Sequence, residues 1–150
     1  MGLTLQELSD REEIRETIMR WSRGVDTGDW DLFRRSHTAD LLADFTALGL
    51  PIMSPEELCS VLQRSQQHFE VFHHILSNVT YHAVTATLAR TSTLVTATSI
   101  PKGGIPFQTA AWYHDELRRT EDGWRISKRT CERVFDTNQV QEFKPPGLSA

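Results

Sequence analysis

The spacing of apolar residues changes once along the chain. In the first part it is helical. Leu8, Ile14, Ile18, Trp21 and Val25 fall on one helical face, with arginines and glutamates opposite. Thr4-Leu5-Gln6-Glu7 has the form of a capping box and predicts a helix start near Leu5. Asp26-Thr27-Gly28-Asp29 breaks the pattern, and Asp29 is placed to cap a short helix, Trp30 to Ser36, that turns Leu32 and Phe33 inward. Leu41 to Leu48 alternates as a strand, with Ala43 and Phe45 on one face and Asp44 and Thr46 on the other. Gly49-Leu50-Pro51 is a break. Ser54-Pro55-Glu56-Glu57 then joins a cap, a first-turn proline and acids that suit a helix N-terminus. That helix is expected to run to about Phe69 and to bury Leu58, Val61 and Leu62.

Beyond it the period becomes two. His74 to His82, Thr85 to Ile100, Phe107 to Arg119 and Trp124 to Asp136 read as long strands rich in threonine, valine and aromatics. Pro101-Lys102-Gly103-Gly104 and Glu121-Asp122-Gly123 are the turns, and Phe143-Lys144-Pro145-Pro146-Gly147 reads as a frayed tail. Helices first and strands after predict an α+β fold, with about three N-terminal helices on one face of an antiparallel-rich sheet. Strands this long curl, so the expectation is a cone-shaped α+β barrel enclosing an apolar pocket. One domain is expected over residues 1–150, with an ordered core at about 5–143 and a C-terminal tail able to act as a lid.

Composition narrows the function classes. With 150 residues, 39% hydrophobic and 24% charged, the chain suits one soluble globular domain. A net charge of −4 and no Lys/Arg-rich run argue against nucleic acid as a partner. No apolar stretch is long enough for a membrane span, and no secretory signal precedes the first helix, so a cytoplasmic location is expected. Cys59 and Cys131 have no metal-ligand spacing and read as free thiols.

The chemistry is reached by elimination. His73 and His74 are adjacent and face opposite sides of a strand, and His68, His73 and His82 have no spacing that gathers them on one ion, so no metal is expected. There is no Gly-x-Ser-x-Gly elbow to present a nucleophile, and with no P-loop and no Gly-x-Gly-x-x-Gly a bound nucleotide lacks sequence support. Acid–base chemistry by aspartate, histidine, tyrosine and arginine remains. On local pattern alone, Asp26 reads first as a turn aspartate in solvent, and His74 as a satisfied strand-edge histidine.

Three stretches bear on those readings. They are Arg11-Glu12-Glu13-Ile14 through Asp26-Thr27-Gly28-Asp29-Trp30-Asp31; His74-Ile75-Leu76-Ser77-Asn78; and Tyr113 through Ile126 followed by Lys128-Arg129. In order and spacing the chain from about Leu5 to Phe143 resembles the SnoaL-like branch of the nuclear-transport-factor-2-like superfamily. Within that branch it is similar to hexachlorocyclohexane dehydrochlorinase, scytalone dehydratase and bile-acid dehydratase. The resemblance implies a cofactor-free lyase with a His–Asp dyad. The dyad histidine falls on His74, the aspartate on Asp26, and the dehydrochlorinase's cavity arginine on Arg129. Two positions depart. The dehydrochlorinase lysine falls on Trp21 and the dehydratase tyrosine on Val25, so the substrate is expected to differ from either.

The expected mechanism is proton abstraction by His74 from a small to medium apolar carbonyl or polycyclic substrate, with Asp26 orienting the ring. Arg129 or Tyr113 then stabilises an oxygen or assists a leaving hydroxyl. Strict alternation from Trp124 and Ile126 puts Arg129 on the outer face, and a β-bulge near Lys128 would reverse that. Trp21, Phe45, Phe72 and Trp112 are candidate pocket walls. Elimination, double-bond isomerisation and polyketide cyclisation share the first step. A non-catalytic ligand-binding or dimerisation module is the competing class, and a bonded Asp26–His74 pair facing an apolar pocket discriminates against it. A homo-oligomer, dimer or trimer, is expected from the Val, Thr and Trp side chains on the outer sheet face.

Overall fold

The computed structural model describes residues 2–137. The expected end of the core near Phe143 and the lid role of the tail lie outside the described residues. The first helix, α1, spans Leu5–Thr27, and its capping box is formed: the Thr4 hydroxyl accepts from Glu7 N–H while the Glu7 carboxylate accepts from Thr4 N–H. Ile14, Ile18, Trp21 and Val25 are buried along one face. Leu8 was expected with them but stands half exposed, one turn too early to reach the sheet. Gly28 ends the helix in the left-handed conformation that glycine adopts without steric cost. The short helix α2, Trp30–Arg34, is capped by the Asp29 carboxylate, which accepts from Leu32 N–H at 2.9 Å. It packs so tightly on α1 that a Cβ at Gly24 would lie 2.6 Å from the nitrogen of Phe33.

Strand β1 is His37–Asp44, earlier than the alternation suggested, and Thr46–Leu48 form a 3₁₀ turn rather than its end. A two-residue strand, β2 (Ile52–Met53), follows; it is too short to leave a periodic signal. Helix α3, Pro55–Gln66, has a capping box between Ser54 and Glu57 and stops before Phe69. The long strands are β3 (Phe69–Val84), β4 (Leu88–Pro101), β5 (Phe107–Thr120) and β6 (Gly123–Asp136). His74 therefore sits inside β3, five residues after it begins, rather than opening it.

The strands form one sheet in the order β2-β1-β6-β5-β4-β3, antiparallel except where β1 runs parallel to β6. The architecture is thus α+β, but β2 and β3 are open edges and the curved sheet does not close into a barrel. Helix α1 lies over the concave face and is latched to the β5–β6 hairpin. Glu13 accepts from Trp124 N–H at 2.9 Å, and the Thr17 hydroxyl donates to Trp124 O at 3.0 Å. Asp10, buried at the same corner, takes Nη2 of Arg119 at 2.5 Å. Burial pushes the Asp10 carboxyl up, but the hydrogen bonds from Arg119, Gln6 and Trp124 outweigh it and hold it below its ordinary value.

Irregularities in the ladder reset which residues face inward. In β3 the register slips between Ser77 and Thr80, and Asn78 takes a positive φ of 52°. In β6, Ile126 pairs with Leu117 but Lys128 pairs with Glu116, so Ser127 is an extra residue. Trp124 and Ile126 are buried before that bulge, and Arg129 and Cys131 are buried after it. The bulge reverses the alternation that would have sent Arg129 outward.

Candidate active site

Asp26 lies in the last turn of α1, at the end of the helix where a carboxylate is electrostatically disfavoured. Its compensation comes from β3. The Asp26 Oδ2 accepts the backbone N–H of His74 at 3.0 Å, and Oδ1 accepts the His74 Nδ1–H in a short hydrogen bond. One residue thus supplies both donors, 48 positions away in sequence. This double grip fixes the imidazole with Nδ1 as donor and leaves the lone pair on Nε2. The two side chains are 13% and 19% exposed, so the pair is shielded but reachable.

His74 lines a cavity of about 190 Å³. Its walls are apolar: Trp21 and Val25 from α1, Phe45 and Leu48 after β1, Leu58 and Leu62 from α3, and Phe72 from β3. Its floor is the concave face of the sheet, where small side chains (Ala97, Ser99, Thr109, Ala111 and Cys131) leave room above the strands. Ala97 pairs with His74 across β3 and β4, which places the imidazole directly beside that floor. Larger hollows elsewhere on the molecule are more open to solvent, and none contains His74. Burial pushes the Cys131 thiol up to about 11, so it is a neutral part of the floor.

Tyr113 reaches the cavity from β5, packed edge-on to Phe45 with ring centroids 6.1 Å apart. Its hydroxyl has no hydrogen-bond partner among the described residues. Burial pushes the phenol well above its ordinary pKa, against the opposing pull of Arg129, so it remains protonated and able to donate. Arg129 itself does not line the cavity. Its guanidinium lies behind the wall, 4.4 Å from the Trp21 ring centroid and 4.1 Å from that of Tyr113. Asp115 holds it through two hydrogen bonds of 2.7 Å, from Nε and from Nη2, with both side chains fully buried. The remaining Nη1 has no hydrogen-bond partner among the described residues.

Of the expected site residues, the fold brings together His74, Asp26, Tyr113, Trp21, Phe45 and Phe72. Arg129 joins them only from behind the rings. Trp112 is corrected: Ala111 and Tyr113 face the cavity, so the residue between them projects to the outer face, where Leu94 and Ile75 also lie. Asp115 was missed by sequence reasoning. Its signal was present, since it shares the parity of Ala111, Tyr113 and Leu117 and so placed a charge on an inward face. Among the described residues no three metal-ligating side chains gather.

The match to known proteins agrees with this architecture. Residues 6–130 fit the model of the SnoaL-like domain, and the chain belongs to that family. An uncharacterized protein of Mycobacterium tuberculosis, Rv2910c, is 29% identical over 136 residues, covering 89% of this chain and 91% of that protein. The crystal structure of the Kfla4162 protein from Kribbella flavida superposes with a TM-score of 0.80 at 27% identity, over 87% of this chain and 94% of the other. The hexachlorocyclohexane dehydrochlorinase LinA-type3 from Novosphingobium barchaimii superposes with a TM-score of 0.79 at 20% identity, over 95% and 99% of the two chains. No described helix is long and apolar enough to cross a membrane.

Proposed function

We propose that the protein is a cofactor-independent lyase that eliminates water from a small, mostly apolar carbonyl compound. The observation that carries this reading is the double grip of Asp26 on His74 beside an apolar-walled cavity. His74 Nε2 takes a carbon-bound proton next to the carbonyl. Asp26 offsets the charge of the imidazolium as it forms, an effect strengthened by low local dielectric. Tyr113 donates its hydroxyl proton to the departing hydroxyl, so that water leaves as the double bond forms. The Tyr113 phenolate is then reprotonated from His74 through solvent, and no oxidant or second reactant is needed. The wall leaves about 190 Å³, which favours a substrate of one or two rings over a larger polycycle. The dehydrochlorinase among the structural neighbours is, by its name, an elimination enzyme.

Isomerisation and cyclisation begin with the same proton transfer, so the test reads that step. Incubate the protein in D₂O with small cyclic ketones and β-hydroxy ketones, and follow loss of the acidic C–H signal by NMR. The protein should accelerate exchange, and β-hydroxy compounds should also release water. His74→Ala should reduce exchange by ~10²–10⁴-fold, the usual worth of a general base. Asp26→Asn should reduce it as well, with the fold retained. Exchange that survives His74→Ala would overturn the dyad. Tight binding of the same compounds with no exchange would make this a ligand-binding module.

A further inference from the structure

The chain carries a net charge of −4, yet one side of the molecule concentrates arginines. Arg34, Arg35 and Arg125 line a hollow of about 600 Å³ together with His37, Thr38, Ala39, Thr120 and Asp122. The hollow shares no lining residue with the His74 cavity. Arg20 of α1 adjoins it, donating from Nη1 to Arg35 O at 3.4 Å. Arg118 adjoins it from β5 through a 3.3 Å hydrogen bond to the Thr38 hydroxyl.

Carboxylates discharge only part of this cluster. Asp31 pairs with Arg34 at 3.1 Å, and Asp40 pairs with Arg118. Arg20, Arg35 and Arg125 have no carboxylate within ion-pair distance among the described residues. Main-chain carbonyls orient two of them instead: Arg20 at Arg35 O, and Arg125 at Trp124 O at 2.8 Å. A neutral carbonyl fixes a guanidinium without cancelling its charge. Burial, together with the nearby charges of Arg20 and Arg35, holds Arg125 below its ordinary pKa, while Asp122 and Glu13 oppose that shift. The fold therefore brings three unpaired cations, from α1, from the residue that follows α2 and from β6, close enough to repel one another. An anion seated among them relieves that repulsion.

We propose that this hollow binds a small phosphorylated ligand, held by Arg20, Arg35 and Arg125 with Arg34 at its rim. Guanidinium groups match phosphate oxygens in geometry, two N–H donors to two oxygens, and remain charged where a lysine would lose its proton on burial. Three arginines on separate elements suit a group with several negative charges and more than one face of acceptors. A monocarboxylate satisfies only one of them.

The test is calorimetric titration of inorganic pyrophosphate into the full chain at low ionic strength and neutral pH. Saturable binding with one ligand per chain is expected. Arg35→Gln and Arg125→Gln should each raise Kd roughly tenfold or more, the scale of a lost hydrogen bond between charged partners. Arg64→Gln, on α3, removes the same charge elsewhere and should leave Kd within about twofold. Equal weakening by all three variants would mean general charge attraction and would overturn the site, as would the absence of saturable binding. If Arg125→Gln fails to fold, Arg20→Gln and Arg35→Gln decide the matter from exposed or half-exposed positions. This outcome is independent of the His74 reading, because no cavity residue is altered.

Discussion

At the scale of single residues, the buried Arg129–Asp115 pair is the most consequential arrangement on the concave face. Both side chains are fully buried, and the guanidinium braces the Tyr113 and Trp21 rings from behind. Taking two charges out of water costs several kcal/mol each, and their mutual attraction returns it only while both are present. Asp115→Leu should therefore destabilise the protein by ~3–5 kcal/mol in urea denaturation, because it strands a buried cation. Asp115→Leu combined with Arg129→Met should recover much of that loss. If the double variant is no better than the single one, the pair is not acting as a unit. His37 illustrates a different cost. Its ring packs against Trp21 and Phe33, Nδ1 donates to Thr38 O at 3.0 Å, and Nε2 is buried without a hydrogen-bond partner. Burial pushes its pKa below the ordinary histidine value, more than the Thr38 hydrogen bond offsets. The folded protein holds His37 neutral, while the unfolded chain takes up a proton near pH ~6.5. Its contribution to stability is thus present above that pH and is lost as pH falls through the lower folded value. His37→Gln should flatten the stability–pH curve over that acid window, measured as urea midpoints at a series of pH values. An unchanged slope would mean that His37 is not the titrating group.

At the scale of elements, the helices were legible and the strand faces only partly so. Capping boxes at Thr4 and Ser54 and the apolar stripe from Ile14 to Val25 are local signals, and local signals survive into the fold. What local reading cannot supply is register. The inward turn of Arg129 depends on Ser127, one extra residue in β6 that no periodicity announces. Deleting Ser127 should restore strict alternation and send Arg129 and Cys131 outward in place of polar neighbours. The expected result is loss of cooperative unfolding or outright insolubility, whereas Ser127→Ala, which keeps the residue count, should fold with near-normal stability. A deletion variant as stable as the parent would show that the strand can absorb the shift. The same limit explains Trp112: aromatic content suits a pocket wall, but the alternation set by Ala111 and Tyr113 turns its side chain to the outer face. It also explains Asp26, whose partner is His74 in a distant strand and whose local pattern suggested only a turn in solvent.

At the scale of the whole molecule, the sheet and helices hold open a space that ordinary packing would fill. Close packing is the norm for protein interiors, so a persistent hollow floored by Ala97, Ser99, Thr109 and Ala111 forgoes dispersion contacts that larger side chains would make. In the proposed mechanism the same vacancy gives His74 access to its substrate. Stability and activity should consequently move in opposite directions when the floor is raised. Ala97 is the informative position, because it pairs with His74 across β3 and β4 and with Thr109 across β4 and β5. Ala97→Val should raise stability by ~0.5–2 kcal/mol, as cavity-filling changes commonly do. For a domain of this size that is a Tm increase of a few degrees, at ~2–4 °C per kcal/mol. Solvent exchange of the substrate C–H should fall at the same time, because the added methyls narrow the space beside His74. Thermal melts and the D₂O exchange assay, run on one preparation, read both quantities. A loss of stability would mean that the floor is already packed to its limit. Undiminished exchange would place the reacting carbon elsewhere, away from the wall between β3 and β4.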